Sequence, residues 1–525
     1  MSLDLVREVV KVNKVVNDKT TQIIVENDII VPDTKPDVAQ ILSAEAEVYT
    51  TGVEIDAKDE NTLVKGIIRY KILYKPEDSD TSIKSINTGI PFSHKMDTPG
   101  MVEGVRSIIK WIPEHVECTI SNGRKINVKS ILQLNRTVII EDEHVLVSDL
   151  RDNESAQILR DSMDITRYIG SNESVYTVSD SLEIPAGSPP IREILRNDVK
   201  IVNKDFSISE DRVTVSGELN ITTLYLGDDN DLSVRFIEHS IPFSQTVEMR
   251  GITEEASCEV DYEVRDYNFE LEEDSDGEYR ILKGDIEICA NVWANEKINI
   301  DYLVDAYGLR SQLNIEKGKI VFDDRIFAGN SQIITKEIVS IGDDNPEIDE
   351  ILNVYSIPVL SDYRILEDKM ELEGFVTSNI NYFSNDNAQG LSCYRATIPI
   401  NHIVEIKGIK PNMNCKPELF IEYINYSLIS SKDVEIKLVL NVDCKVYNTV
   451  ERDIIEKITE EPLDENARSD RRPSIVMYFV QPEDTYWEIA KRYRTTINEI
   501  QRVNGLSDED AIEPGMQILI TRKAQ

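Results

Sequence analysis

Histidine and cysteine are the side chains best suited to nucleophilic, acid–base or metal chemistry, and neither type clusters in this sequence. The six cysteines contain no CxxC pair, and the five histidines are isolated: His94, His115, His144, His239 and His402. No HExxH, GxSxG, GxxxxGK[ST] or GxGxxG motif occurs. Carboxylate pairs are frequent, but with 96 acidic residues chance alone produces them. The sequence therefore predicts a protein that is not an enzyme and that needs neither a cofactor nor a metal ion.

The stretch YFVQPEDTYWEIAKRY (478–493) has the most informative spacing of residue types in the chain. A short strand at its start leads into a helix that Asp484 or Thr485 can cap. Thr495 and Thr496 begin a second helix, which stops near residues 504–505 because Asn-Gly ends helices readily. A final strand follows the Pro-Gly turn. The segment 478–520 is thus predicted to be a compact βααβ module.

This pattern closely resembles a LysM module. The matching residues are Tyr478, Val480, Asp484, Thr485, Trp487, Ile489, Ala490, Asn504, Pro514, Gly515 and Ile520. The resemblance implies a shallow groove that binds N-acetylglucosamine polymers, with Asp484, Thr485, Asn504 and Pro514 as candidate glycan contacts. The chain departs from the family pattern where Glu483 replaces a Gly and places a charge at the lip of the groove. It departs again at Thr521, which replaces the closing Pro.

A second candidate surface lies on the other face of the module's small sheet. Because side chains alternate along a strand, inward-facing Tyr478 and Val480 turn their neighbours outward. The outward set is Ile475, Met477, Phe479 and, on the last strand, Leu519. A contiguous apolar patch on so small a module indicates a protein partner, unless the linker or the third repeat covers it. Trp487 is a further candidate contact, although a place in the module's core is the alternative.

The rest of the chain consists of three copies of one pattern, about 155 residues apart. Each copy opens with a Pro-containing segment that ends in Ile-Leu: VPDTKPDVAQIL (31–42), IPAGSPPIREIL (184–195) and IGDDNPEIDEIL (341–352). An apolar-x-Gly run ending in Tyr follows, then an Ile-Pro pair 17 residues after that Tyr: Tyr74 and Pro91, Tyr225 and Pro242, Tyr382 and Pro399. A Gly stands nine residues beyond each Pro, at Gly100, Gly251 and Gly408. These constant spacings predict three domains of one fold.

The landmarks of one copy predict local structure. Pro36, like its counterparts Pro189 and Pro346, suits the first position of a short helical turn. Gly66, with its counterparts Gly217 and Gly374, lies inside a strand and marks a bulge or a close backbone approach. The Ile-Pro pairs fit an edge strand, because Pro cannot donate to a ladder. Short strands predominate, so each copy is predicted to be a mainly β domain. The predicted form is a sandwich, and an open barrel is the alternative.

These patterns divide the chain into seven segments. The β repeats are predicted over 1–140, 172–296 and 331–450, with bridges over 141–171 and 297–330, a charged linker over 451–474 and the LysM module over 475–525. Two cysteine pairs, Cys258 with Cys415 and Cys289 with Cys444, fall at similar places in two repeats. We interpret them as small core residues, since such parity is typical of packing.

Charge and composition limit the possible partners and compartments. The formal net charge is −39, and a field of that sign repels nucleic acid and bare anionic membrane. No run of about 18 apolar residues occurs, and charges interrupt the N-terminal MSLDLVREVVKVNK where a signal peptide would be apolar. The scattered cysteines fit a reducing compartment. We therefore expect a cytosolic protein without membrane insertion.

The whole architecture resembles the SipL-like, SPOCS-domain spore-coat morphogenetic proteins of anaerobic spore-formers. The resemblance rests on the Pro-x-apolar-x-x-Ile-Leu and Ile-Pro landmarks together with the LysM pattern; only the first repeat keeps the family's Pro-Asp-x-x-Pro-Asp run, at 32–37. It implies a mother-cell protein at the forespore surface that binds the coat's basement-layer ATPase, stage IV sporulation protein A, largely through its LysM module. The alternatives are a scaffold that binds spore peptidoglycan and, less favoured, a cell-wall hydrolase.

Overall fold

The computed structural model describes most of the chain. The described residues are 4–56, 58, 60–77, 83–98, 106–151, 156–229, 233–384, 391–462, 475–507 and 510–521. Gly100 and residues 463–474 of the predicted linker lie outside them.

Each repeat contains six antiparallel strands in the same order. The first repeat has β1 (Leu5–Ile30), β2 (Val38–Asp56), β3 (Asn61–Pro76), β4 (Lys84–Asp97), β5 (Arg106–Asn122) and β6 (Lys125–Leu150). The second has β7 (Ala156–Glu183), β8 (Ile191–Ser209), β9 (Arg212–Gly227), β10 (Val234–Glu248), β11 (Ser257–Glu273) and β12 (Tyr279–Gly308). The third has β13 (Ser311–Ser340), β14 (Glu350–Leu366), β15 (Lys369–Phe383), β16 (Leu391–Glu405), β17 (Asn414–Leu428) and β18 (Asp433–Pro462).

Two sheets face each other in every repeat. In the first repeat the meander β2-β3-β4 packs on β1-β6-β5, and the buried core between them includes Tyr70, Ile72, Val128 and Leu132. The other two repeats use β8-β9-β10 over β7-β12-β11 and β14-β15-β16 over β13-β18-β17. The prediction of a mainly β fold built from sandwich-like repeats is therefore confirmed.

The spaced Pro and Tyr landmarks of a repeat bond directly to each other. The buried Tyr74 hydroxyl donates to the carbonyl oxygen of Pro36 at 3.0 Å. Tyr225 and Tyr382 donate in the same way to Pro189 and Pro346, at 3.3 and 3.2 Å. The predicted helical turn after each Pro is wrong. The turn precedes the Pro and a strand follows it, because ladder hydrogen bonds of the small sheet satisfy this backbone.

The in-strand glycines and the Ile-Pro pairs behave as predicted. A Cβ on Gly374 would stand 2.4 Å from the Val359 carbonyl oxygen, and one on Gly66 would stand 2.7 Å from that of Tyr49. The neighbouring strand is bulged opposite each of these glycines. The Ile-Pro pairs lie in β4, β10 and β16, which are edge strands of the three small sheets, where Pro is tolerated.

The first and last strands of each repeat continue past the sandwich as a paired ribbon. The three ribbons pack on one another through residues such as Val12, Ile165, Tyr302 and Phe322. We call them the ribbon bundle, which comprises residues 5–14, 141–150, 156–167, 297–308, 311–324 and 449–462. The segments predicted as bridges thus contribute long strands, and β18 carries residues 451–462 of the predicted linker. Strands run through several of the predicted segment boundaries. The boundaries themselves stay a prediction.

The three sandwiches also meet one another at equivalent positions. The Leu of each Ile-Leu landmark, namely Leu42, Leu195 and Leu352, belongs to a single apolar cluster that all three repeats share. The shared cluster explains why the landmark recurs, because its Leu packs at the contact between the three repeats.

The C-terminal module has the predicted order. It consists of β19 (Ile475–Phe479), α1 (Tyr486–Tyr493), α2 (Ile497–Asn504) and β20 (Gln517–Thr521), and β19 pairs antiparallel with β20. Its core includes Val480, Ile489, Ile500 and Ile518, which are almost completely buried.

Candidate partner-binding site

Local capping chemistry builds the two helices of the module. The Thr485 hydroxyl accepts the N–H of Glu488 at 3.2 Å, and the Thr496 hydroxyl accepts that of Glu499 at 3.1 Å. Gly505 ends α2 in the left-handed region, at φ 68°. Of the two predicted caps for α1, Thr485 is therefore the one used. Side chains cap the starts of both helices, and backbone N–H groups cap their ends.

The predicted outward set of the small sheet is exposed. Ile475, Met477 and Phe479 are 61%, 58% and 50% accessible, and Leu519 is 37% accessible. Met477 lies directly opposite Leu519 in the ladder, so the four side chains form one apolar face. Removing such a face from water is favourable by about 25 cal/mol per Å², and this makes it suitable for protein docking.

Trp487 lies apart from this face, on the side of the module that contacts the ribbon bundle. Its indole Nε1 donates to Asp305 Oδ2 at 2.8 Å, and its ring packs edge-on against Tyr307 with centroids 4.9 Å apart. Lys491 Nζ contacts both carboxylate oxygens of Asp305 at 2.7 Å. The structure thus brings four of the five predicted partner contacts together and gives Trp487 a role in docking the module.

The docking contact is partly buried and well satisfied. Tyr307, which belongs to β12, is 5% exposed and donates its hydroxyl to the Thr495 carbonyl at 2.7 Å. Burial would raise the pKa of Asp305, but the hydrogen bonds from Lys491 and Trp487 outweigh it and hold the pKa below its ordinary value. The apolar core of the module therefore includes Tyr307 of the ribbon bundle, and an ion pair lies at the joint.

Sequence reasoning missed Asp305 and Tyr307 because they lie about 180 residues from the module, in a segment predicted as a bridge. One signal was present in the related strings LVSDL (146–150) and LVDAY (303–307). Both place an Asp near the end of a ribbon. Asp149 pairs with Arg160 at 2.5 Å, whereas Asp305 reaches the LysM module instead.

The candidate glycan contacts have mainly internal partners. The hydrogen bond from the Tyr478 hydroxyl is the main reason that the pKa of Asp484 lies below its ordinary value, and the Gln481 N–H and Arg492 add to it. Asn504 bonds the backbone N–H and carbonyl of Leu519, each at 2.7 Å. Thr485 is the helix cap described above, and Pro514 is exposed in its turn.

Glu483 has the backbone conformation that explains the family's Gly at this place. Its φ is 72°, which is in the left-handed region where a Cβ crowds the carbonyl oxygen. The side chain is exposed beside the candidate groove. The chain therefore carries both a strained backbone and a negative charge where glycine would leave the groove open.

Buried charges hold the three repeats together above the ribbon bundle. Arg196 of the second repeat contacts Glu45 of the first at 2.8 Å and Asp198 at 2.6 Å, while Lys71 contacts Asp198 at 2.8 Å. The Arg196 guanidinium also lies 5.3 Å from the ring centre of Tyr355 in the third repeat. These contacts come from equivalent positions of the three repeats. In the strand ladder of its own repeat, each of Glu45, Asp198 and Tyr355 lies opposite the residue three places before the landmark Tyr.

A second set of equivalent positions repeats this arrangement on the larger sheets. Lys110 of the first repeat contacts Asp261 of the second at 3.2 Å and Glu418 of the third at 2.8 Å. Equivalent positions of the three repeats thus carry opposite charges, and these charges attract one another where the repeats meet.

Two further features concern the described residues, namely metal-binding groups and membrane-spanning helices. No group of three or more His, Cys, Asp or Glu side chains among them has an arrangement that could hold a metal ion. Over the same residues, no helix is both long and apolar enough to cross a membrane.

Comparison with known families accounts for the repeats and for the module. The model of the SipL SPOCS domain matches three times, over residues 37–121, 190–272 and 347–429. The chain therefore contains three SipL SPOCS domains. A LysM domain model matches residues 478–521. No curated protein and no solved structure matches the chain.

The SPOCS matches correspond to defined strands. Each covers the three strands of a small sheet and the edge strand of the large sheet, for example β2 to β5 in the first repeat. The ribbons lie outside the matched segments. The chain is thus a sporulation-type protein that combines three SPOCS domains with a LysM domain of the peptidoglycan-binding type, and both families are non-catalytic binding domains.

Proposed function

We propose that this protein is a non-enzymatic adaptor of endospore coat assembly. In this role it tethers the coat's basement-layer ATPase, stage IV sporulation protein A, at the forespore surface. It works in the mother-cell cytoplasm, and its LysM domain makes the contact. The observation that carries the proposal is the exposed apolar face of Ile475, Met477, Phe479 and Leu519.

The arrangement of the domains supports an adaptor. The repeats bury their equivalent positions against one another, whereas the LysM domain is held at the end of the ribbon bundle with its apolar face outward. A docking face that is already formed before binding suits tethering, since binding then orders few new groups.

A binding experiment with a matched control tests this function. Phe479→Ser should weaken binding of the purified ATPase at least tenfold, because it removes an aromatic anchor. Phe420→Ser removes a Phe of similar exposure, 45%, from an edge strand of the third repeat, and it should leave binding within twofold. Equal binding by both folded variants, or no binding by the wild type, would refute the proposal.

A second candidate function is recognition of spore peptidoglycan, which the LysM match favours. Asp484, Thr485, Asn504 and Pro514 would line the groove, and Glu483 would hinder it. A pull-down on purified peptidoglycan tests this function. Retention above that of an unrelated acidic protein, increased by Glu483→Gly, would support glycan binding, and no retention of either form would exclude it.

A further inference from the structure

The interior of the first repeat contains a cationic side chain that has no counter-ion among the described residues. Arg136 lies on β6 and is 1% exposed, between the equally buried Leu134 and Val138. None of its three guanidinium nitrogen atoms has a hydrogen-bond partner among those residues. Arg196, which is buried where the repeats meet, has two carboxylates beside it instead. Buried polar groups in native proteins are almost always hydrogen-bonded, and an exception points to a bound water or ion.

The other two repeats show that the fold does not require a charge at this position. In each repeat the residue here pairs with the residue 18 places after the Pro of the Ile-Pro pair: Arg136 with Ile109, Val292 with Val260, and Cys444 with Pro417. Val292 and Cys444 are completely buried in apolar clusters. The first repeat therefore departs from an arrangement that suits the fold, and it does so by burying a charge that is expensive to desolvate.

Hydroxyl groups replace apolar side chains at three further positions of the same cluster. Thr62, Thr98 and Ser107 stand 29 residues before, 7 after and 16 after the Pro of the Ile-Pro pair. The residues at these positions belong to the apolar clusters of the other repeats: Val213, Met249 and Cys258 in the second, and Met370, Ile406 and Cys415 in the third. We call Thr62, Thr98, Ser107 and Arg136 the polar core of the first repeat.

The four side chains of the polar core lie close together. Thr62 and Thr98 are completely buried, and their hydroxyl oxygens are 3.4 Å apart. Ser107 pairs with Val138, which makes it a diagonal neighbour of Arg136 across the ladder. In the third repeat the two cysteines at these positions hydrogen-bond to each other. The Ser107 Oγ is buried, and like the guanidinium it has no hydrogen-bond partner among the described residues.

These groups have the chemistry of an oxyanion site. A guanidinium stays charged in proteins and can donate two parallel hydrogen bonds to a carboxylate or phosphate. Serine and threonine hydroxyls supply further donors. Burial lowers the pKa of Arg136, whereas at Arg196 the neighbouring carboxylates outweigh burial and raise it. A negatively charged ligand would give Arg136 the compensation that Arg196 obtains from its own chain.

We propose that the polar core of the first repeat binds one small oxyanion. Arg136 supplies the positive charge, and Ser107 supplies a second donor beside the pair of Thr62 and Thr98. The second and third repeats lack the site, because apolar residues occupy the equivalent positions. The site is separate from the apolar face and the candidate groove of the LysM domain, so it does not depend on the proposed adaptor function.

Titration of the full-length chain with inorganic phosphate, followed by calorimetry at constant ionic strength, tests the site. The wild type should bind one phosphate per chain. Arg136→Met should weaken this binding at least tenfold, and Arg136→Lys should weaken it severalfold because Lys lacks the planar fork. Arg124→Met should stay within twofold of the wild type. Arg124 is the matched control, since it belongs to the same repeat but already contacts Asp33 and Asp37, each at 3.1 Å.

Melting temperatures distinguish loss of the site from loss of the fold. In phosphate-free buffer Arg136→Met should melt at a higher temperature than the wild type, because it removes an uncompensated buried charge. Phosphate should raise the melting temperature of the wild type, since a ligand stabilises the state that binds it, and should leave that of the variant unchanged. Equal shifts in both proteins would be a general salt effect and would refute the proposal.

A carboxylate of the chain itself is the competing occupant of the polar core. Glu103 is the acidic residue of the segment 99–105, which lies outside the described residues. If the wild type binds no phosphate, and if Arg136→Met lowers the melting temperature unless Glu103→Gln is added, an internal ion pair satisfies the guanidinium and the proposal is overturned. Absence of phosphate binding without this coupling would also overturn it.

Discussion

Replacing Arg196 with Met should destabilise the protein strongly, because Arg196 is the buried cation between two carboxylates of different repeats. Its side chain is 2% exposed, and it contacts Glu45 and Asp198 at 2.8 and 2.6 Å. Burial would lower the pKa of Arg196, but these two carboxylates raise it. Removing one partner of a buried pair costs about 3–5 kcal/mol, since the other charge is left uncompensated. Asp198 would keep Lys71, whereas Glu45 would lose its direct cationic contact, so we expect a loss within that range.

The control lies on the same strand. Arg192→Met makes the same substitution in an exposed pair, in which Arg192 and Asp228 are 3.9 Å apart. Surface pairs of this kind contribute about 0–1 kcal/mol. Equilibrium denaturation of both variants gives the free energies of unfolding. A difference of less than about 1 kcal/mol between Arg196→Met and Arg192→Met would refute the argument, because buried and surface pairs would then be equivalent.

The pH dependence provides a second readout of the same network. Burial would raise the pKa of Asp198, but Arg196 and Lys71 outweigh it and lower the pKa well below its ordinary value. A carboxylate with a lowered pKa stabilises the fold above its unfolded-state pKa, and this contribution is lost as the pH falls. The contribution of Asp198 should therefore be lost below about pH 4, whereas Glu45, whose pKa burial raises, contributes in the opposite sense. Asp198→Asn should lose less stability than the wild type over the same interval.

Two further predictions concern the second charge cluster and the LysM loop. Lys110→Glu puts three acids together at the junction of the repeats and should lower the free energy of unfolding by roughly 1–3 kcal/mol in this partly exposed site. Adding Glu418→Lys should recover at least half of that loss. A double-mutant cycle without coupling would contradict the pairing. Glu483→Gly should stabilise the LysM domain by up to about 1 kcal/mol because it relieves a left-handed φ. Glu483→Ala removes the charge but keeps the Cβ, so equal melting temperatures for these two variants would assign the effect to charge instead.

Much of the fold follows from short-range pattern. The Gly and Ile-Pro landmarks predicted close approaches and edge strands, since these depend on what one residue can do in a ladder. Alternation placed Phe479 and Met477 on the outer face of the LysM sheet for the same reason. The helical turn after Pro36 was predicted wrongly, because Pro also suits the residue before a strand and pairing with β3 decided between the two.

The contacts between distant segments could not be predicted in this way. The repeated spacing shows that these landmark residues recur in every repeat. It does not show that the Tyr74 hydroxyl bonds to Pro36. It also does not show that Leu42, Leu195 and Leu352 share one cluster. The candidate site has the same limit. Trp487 was a candidate contact in the sequence, but its partner Asp305 lies 182 residues away, and no spacing rule connects the two.

The sequence by itself determined the three repeats, their β character, the LysM module and its outward apolar face. These features depend on side-chain period, on turn chemistry and on spacing within a few residues. Only the tertiary structure decided how the repeats complement one another in charge, how the ribbons form one bundle and where the LysM domain sits on it. The physical reason is that burial and ion pairing depend on which surfaces meet, and the chain brings those surfaces together from residues more than 100 positions apart.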